Sequence, residues 1–186
     1  MTPLEKTARD TSSNFKPILI YLLLVFVIVF VIYYLPDYHF LEIWIANQSS
    51  FILNTIGVPT QINLIGNGVY INEIQVVRDC TGIQVIAVFA GLLLPVPKAL
   101  WRKKVAVIIL ISLFVYFANL LRVVLEYWLL AERILPWSLA HYPMSFVLGV
   151  FGVVVLVILT DKIMPEFVDF ISSEFNRFRL KLGRVR

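Results

Sequence analysis

Long uncharged stretches alternate with short polar or basic ones along this chain. The first such stretch, residues 17–35 (PILIYLLLVFVIVFVIYYL), contains no charged side chain. A helix of about 20 apolar residues crosses the hydrocarbon core of a bilayer, so the run predicts a membrane span. It is longer than the apolar core of a signal peptide, and no small-residue cleavage site follows Tyr34-Leu35-Pro36. A retained anchor is therefore expected. Three more apolar runs follow, at about 80–95, 105–124 and 138–160. The second is short and is broken by Pro95 and Pro97. The fourth carries Gly149 and Gly152, small enough for close helix contact. The pattern predicts an all-α polytopic membrane protein with four transmembrane helices.

Residues 36–79 form a loop with structure of its own. Phe40, Ile43, Trp44, Phe51 and Ile52 recur at helical spacing among Glu42, Asn47, Gln48 and Ser49, which predicts a short amphipathic helix lying in the membrane interface. Over 60–77, TQINLI and VYINEIQVV flank Gly66-Asn67-Gly68, the signature of a small β-hairpin. Its second strand leads directly to Cys80. At the far end, Phe167, Phe170, Ile171, Phe175, Phe178 and Leu182 are spaced helically among Arg177, Arg179, Lys181, Arg184 and Arg186. The tail 162–186 thus reads as a basic amphipathic helix on an anionic membrane surface. No internal repeat interrupts 1–186, which reads as a single membrane domain.

Charge sets the expected orientation. With both termini cytoplasmic, the inner side holds Lys6, Arg9, Lys16, Lys98, Arg102, Lys103, Lys104, Lys162 and the five tail arginines and lysine, thirteen of the sixteen basic residues. Only Arg78, Arg122 and Arg133 fall outside, which satisfies the positive-inside rule and makes 36–79 an extracytoplasmic loop. Composition agrees with a membrane protein: 60% hydrophobic, 15% charged, mean hydropathy +0.86, against about 25% charged in a soluble domain. The net charge of +4 is accounted for by topology and does not point to nucleic acid. A single cysteine excludes an intramolecular disulfide and any paired-cysteine metal site or thiol redox couple. With two histidines, a protein-built metal site is not expected, nor is a cofactor.

The polar residues inside this frame carry the candidate chemistry. Cys80 opens the second span on the outer side. Arg122 lies some 18 residues after Lys104, a climb of about 27 Å at 1.5 Å per residue, which also brings it to the outer side. His141 stands near the outer start of the fourth span. Three capable side chains from three segments thus reach one depth. Cys80 reads either as a small buried hydrophobe or as a nucleophile. Asp79 or Thr81 can cap the helix start, and Thr81-Gly82-Ile83-Gln84 has capping-box spacing. That placement would set the thiol at the positive end of a helix dipole and lower its pKa. Gly82 leaves room for a substrate backbone. Arg122 either snorkels or pairs with Glu126, or else steadies a thiolate or an oxyanion, oriented by Asn119 one turn earlier. His141 is either an interfacial histidine or a general acid/base. Asp79, Arg78 and Glu126 can at most support these.

The Asp79-Cys80-Thr81-Gly82-Ile83 start of one span, the Asn119-Leu120-Leu121-Arg122 end of the next, and His141 at the head of another resemble the archaeosortase/exosortase family over roughly residues 60–150. The resemblance implies a multi-pass membrane cysteine transpeptidase with Cys80 as nucleophile, Arg122 as its thiolate or oxyanion partner and His141 as third member. It also implies substrates: secreted proteins ending in a short motif, one transmembrane helix and a basic cluster. These would be cleaved on the extracytoplasmic face through a thioester, with a membrane lipid as acyl acceptor. The chain is shorter than many relatives. The hairpin at 60–77 offers an edge to which an extended motif can add as a strand. A non-enzymatic membrane assembly factor or transporter subunit is the alternative function.

Overall fold

The computed structural model describes the backbone of residues 3–97 and 99–182, and side chains within 17–97, 99–136, 143 and 145–176. Helix α1 covers Pro3–Tyr34 and α2 covers His39–Thr55. Strands β1 (Ile62–Ile65), β2 (Gly68–Ile71) and β3 (Ile74–Val76) follow, then a 3-10 turn, Arg78–Thr81. The remaining helices are α3 (Ile83–Leu93), α4 (Trp101–Ala131), α5 (Trp137–Ile163) and α6 (Pro165–Leu182). Among the described residues, three helices are long and apolar enough to cross a membrane: α1 from Pro17, α4, and α5 from Ser145.

The expected second span differs. Helix α3 has 11 residues, about 16 Å at 1.5 Å per residue, against a hydrocarbon core of about 30 Å. Its lower end finishes on protein partners rather than water. Tyr21 Oη donates to Leu92 O (2.8 Å), and Lys104 Nζ donates to Leu94 O (2.6 Å) and Val96 O (2.7 Å). Carbonyls with no helical partner are costly in an apolar medium, and these bonds satisfy them. Lys104, taken from sequence as an inner-surface charge, is buried for this purpose.

Contacts fix the helix directions. Tyr33 of α1 meets Asp79 just before α3, while Tyr21 meets Leu92 at its end, so α3 runs antiparallel to α1. Gly82 faces Val115 and Leu94 faces Lys104, so α4 runs back along α3. Ser145 bonds Glu126 and Glu166, just beyond α5, bonds Lys103, so α5 descends beside α4. The close helix crossing lies at Gly91, where a Cβ would stand 2.6 Å from Val29 Cγ2 and 3.0 Å from Val25 O. Gly149 and Gly152, the expected contact points, have open space where a Cβ would be.

Helix α4 is the spine. Its 31 residues extend about 46 Å at 1.5 Å each, well past the run 105–124. The lower half packs with Tyr21, Phe89, Leu93, Leu156 and Met164. The upper part, Val123, Val124 and Tyr127, packs with Ile45, Leu53, Val69, Ile71 and Val76 from α2 and the sheet. Glu126, which lies beyond the apolar run 105–124, is therefore inside α4 and buried.

The cap contains three strands rather than two, in the order β1-β2-β3, all antiparallel. Asn72, at φ 53°, makes the extra turn between Ile71 and Ile74. It exchanges bonds with Gln61 in both directions, N to O at 2.8 Å and Gln61 N to Asn72 Oδ1 at 2.9 Å. Helix α2 turns Ile45, Ala46, Ser49, Ser50 and Leu53 inward, while Phe40, Trp44 and Phe51 stay exposed. At the other end α6 is amphipathic, with Phe170 against Tyr21 (ring centroids 4.9 Å) and Glu166 accepting from Lys103 at 2.6 Å.

The glycine contacts make a prediction about stability. Replacing Gly91 with Leu overpacks the α1–α3 crossing and is expected to cost about 1–3 kcal/mol. Thermal unfolding in detergent should show a lowered midpoint for Gly91→Leu and an unchanged one for Gly149→Leu. Equal midpoints would contradict the crossing.

Candidate active site

The 3-10 turn is held from two sides. On the α1 side, Arg78 Nη1 donates to Tyr33 O (3.2 Å), and its guanidinium lies 5.7 Å and 5.6 Å from the ring centroids of Tyr33 and Tyr38. Asp79, expected as a helix cap, instead accepts a hydrogen bond from Tyr33 Oη at 2.9 Å. Thr81 Oγ1 donates to Arg78 O (2.6 Å) and stands 3.4 Å from Ile83 N. The N-cap of α3 is Gly82, without a side-chain cap, so the expected capping box is not formed.

On the α4 side, Gly82 adopts φ 73°, and a Cβ there would fall 2.6 Å from Val115 Cγ1. The space at Gly82 is thus taken by α4, not left for a substrate backbone. A positive φ and a helix at van der Waals distance both require glycine. This approach brings Asn119 Nδ2 to Cys80 O, where it donates a hydrogen bond. Asn119 consequently fixes the backbone of the cysteine rather than orienting Arg122.

Cys80 is half-buried and packs against the cluster that holds Val123, Val124 and Tyr127. Burial pushes its thiol pKa up. A backbone hydrogen bond at Val77 and the positive charge of Arg122 act the other way, whereas Glu126 and Asp79 reinforce the rise. The lowered pKa expected at a helix start is therefore not realised. The cysteine precedes the cap of α3, and the loss of water around the sulfur outweighs the favourable charges.

Arg122 lies on the same side of α4, one turn after Asn119, with its Nε 3.6 Å from Glu126 Oε1. That Nε is buried and makes no hydrogen bond among the described residues. Glu126 Oε1 accepts from Ser145 Oγ at 2.6 Å, which joins α4 to α5. His141 lies in α5, one turn before Ser145. Its side chain is outside the described residues. The structure thus brings Cys80, Asn119, Arg122 and Glu126 together, with Asp79 and Thr81 turned to α1 and to the turn itself. Sequence reasoning missed Ser145, a lone hydroxyl among apolar neighbours. It also missed Tyr33 and Tyr127, whose Oη donates to Ile74 O at 3.1 Å. The i,i+4 spacing of Arg122 and Glu126 was the available signal for the buried pair. Among the described residues no group of three or more His, Cys, Asp or Glu gathers as metal ligands.

A thiol, a guanidinium and a buried carboxylate beside long apolar helices define a multi-pass membrane protein with a polar site where α3 begins. The chain belongs to the transmembrane exosortase family, whose model matches residues 11–160. Membership supports, in broad terms, a membrane transpeptidase-like role. No curated protein and no solved structure matches the chain.

The raised thiol pKa has a measurable consequence. The thiolate is the reactive form and accumulates as pH rises toward the folded-state pKa, which lies above the ~8.5 of a free cysteine. Alkylation of Cys80 by iodoacetamide in detergent should keep rising about tenfold per pH unit through neutrality. Arg122→Gln should move the profile to higher pH. A plateau already reached below pH 7 would show a stabilised thiolate instead.

Proposed function

We propose that this protein is a membrane cysteine transpeptidase that processes C-terminal sorting signals on the extracytoplasmic face. The observation that carries the reading is the docking of Cys80 onto the Arg122 side of α4 in a chain of the exosortase family. In this reading all four apolar segments cross, α3 together with residues 94–97, and both termini are cytoplasmic. The alternating helix directions and the basic residues at Arg102, Lys103 and Lys104 support that topology.

Burial favours the neutral thiol, so the reaction needs a base. His141 takes the thiol proton as the sulfur attacks the scissile carbonyl carbon. A C–S bond forms and the carbonyl oxygen becomes an oxyanion, which the guanidinium of Arg122 stabilises. The C–N bond then breaks, and the imidazolium gives its proton to the leaving amine. An acceptor nucleophile, a membrane lipid in this proposal, attacks the thioester and loses its proton to His141; the C–S bond breaks, and the imidazolium returns that proton to the departing sulfur. Asn119 holds the Cys80 backbone throughout. Strand β1 pairs only with β2 among the described residues, so its outer edge can take up an extended motif.

The test is co-expression with a secreted reporter ending in a short motif, a transmembrane helix and a basic cluster. Cys80→Ala should lower cleavage on the order of 10³-fold or more, as loss of a nucleophile does, while the variant still folds in detergent. Mass spectrometry of the new C-terminus then separates the acceptors. A lipid adduct supports transfer, and a bare carboxylate identifies hydrolysis. Cleavage at the parental rate by Cys80→Ala would refute the mechanism, and a reporter cleaved equally with and without the parental chain would favour a non-enzymatic assembly factor or transporter subunit.

A further inference from the structure

Glu126 is the most deeply buried carboxylate among the described residues, 3% exposed, in the part of α4 that faces the cap and α5. An ionised carboxylate in such a place costs several kcal/mol unless donors compensate it. Two groups approach the same oxygen: Ser145 Oγ donates a hydrogen bond at 2.6 Å, and Arg122 Nε stands 3.6 Å away as an ion-pair partner without a hydrogen bond. Arginine carries five N–H donors. The approach of Arg122 to Glu126 is through Nε, the stem side of the guanidinium. Three residues before Arg122, Asn119 clamps the carbonyl of Cys80, so the thiol and the guanidinium are both referenced to one stretch of α4.

We propose that Glu126 is a positioning residue. Together with Ser145 of α5, it holds Arg122 by its Nε, so that the free end of the guanidinium is presented to the sulfur of Cys80. The inference deepens the transpeptidase reading, on which it rests for the use of Arg122 in the reaction. Three structural features converge on it. The side chain of Arg122 is 17% exposed and that of Glu126 4%, so the pair is shielded from the water that weakens surface ion pairs. The Ser145 bond fixes the carboxylate from a second helix, so the oxygen cannot follow a swing of the arginine. Ser145 also lies one turn after position 141, so the same bond sets the register of that part of α5 against α4.

The sign of one substitution separates positioning from a mere nearby charge. If Glu126 were only a bystander anion, Glu126→Gln would ease thiolate formation and speed alkylation of Cys80 by iodoacetamide at pH 7.5. If it holds Arg122 in place, the freed guanidinium leaves the sulfur and alkylation slows. The expected result for the full chain in detergent is a several-fold slowing in Glu126→Gln and a smaller slowing in Ser145→Ala. Glu126→Gln should cause no further slowing in an Arg122→Gln background. Faster alkylation in Glu126→Gln, or the same slowing with and without Arg122, overturns the proposal. Ser145→Ala removes a single hydroxyl and supplies the decision should Glu126→Gln fail to fold: unchanged alkylation in Ser145→Ala then counts against it. The reporter adds a second readout, in which kcat falls about tenfold or more with little change in KM. The two proposals fail separately, because alkylation needs no peptidase activity. Parental cleavage by Cys80→Ala removes the transpeptidase reading and leaves the Glu126 cycle decisive for its own question.

Discussion

Everything in the upper half of the molecule depends on how closely the turn at Cys80 approaches α4. The approach exists because residue 82 has no Cβ: any other side chain would collide with Val115, and φ of 73° would strain it as well. Once the turn is seated, Asn119 reaches the Cys80 carbonyl, and β3, which feeds the turn, is drawn against the α2 and α4 core. On the other side Arg78 and Asp79 bind opposite ends of Tyr33, its carbonyl and its hydroxyl. One glycine therefore permits a contact that sets the cysteine backbone, the sheet and the top of α1 together.

Electrostatics at the site is a balance rather than an activation. Arg122 favours the thiolate, but Glu126 and Asp79 oppose it and desolvation exceeds all three. A half-buried thiol that stays protonated is protected from adventitious oxidation and alkylation, since those reactions also need the thiolate. The same burial is what makes a base necessary for catalysis in the proposed reaction. Protection and reactivity are thus set by one quantity, the water around the sulfur.

The long elements were legible because the hydrocarbon requirement is coarse. Residues 17–35 and the runs containing Val107 to Val124 and Phe146 to Leu159 could hardly be anything but long apolar helices. The cysteine and the arginine stood out by their contrast with that background, and the structure brings both to one side of α4. Finer features were not legible. The strand Gly68–Val76 looks continuous because Tyr70, Asn72 and Ile74 preserve a rough alternation, and only the left-handed Asn72 reveals the turn. The burial of Glu126 was not legible because it lies past the apolar run, and its partner Ser145 comes from α5. The dipole argument for Cys80 failed because the helix start falls three residues later, with Gly82 rather than Asp79 or Thr81 as the cap. Gly149 and Gly152 had the right size for helix contact, but size alone does not select the partner, and the close crossing formed at Gly91.

The shortness of α3 has a consequence for the surrounding lipid. Lys104 closes the lower end of α3 and Asn119 holds the carbonyl at its upper end, fifteen positions along α4. At 1.5 Å per residue that is a wall about 22 Å tall, beside a hydrocarbon core of about 30 Å. Hydrophobic mismatch of this size is met by thinning the bilayer or by recessing the polar end below the headgroups. Either way the bilayer beside this helix is thinner than around α1, α4 and α5. In the proposed topology the thinned side is that of the sulfur, so peptide bonds that a bilayer of full thickness would keep within hydrocarbon come level with it.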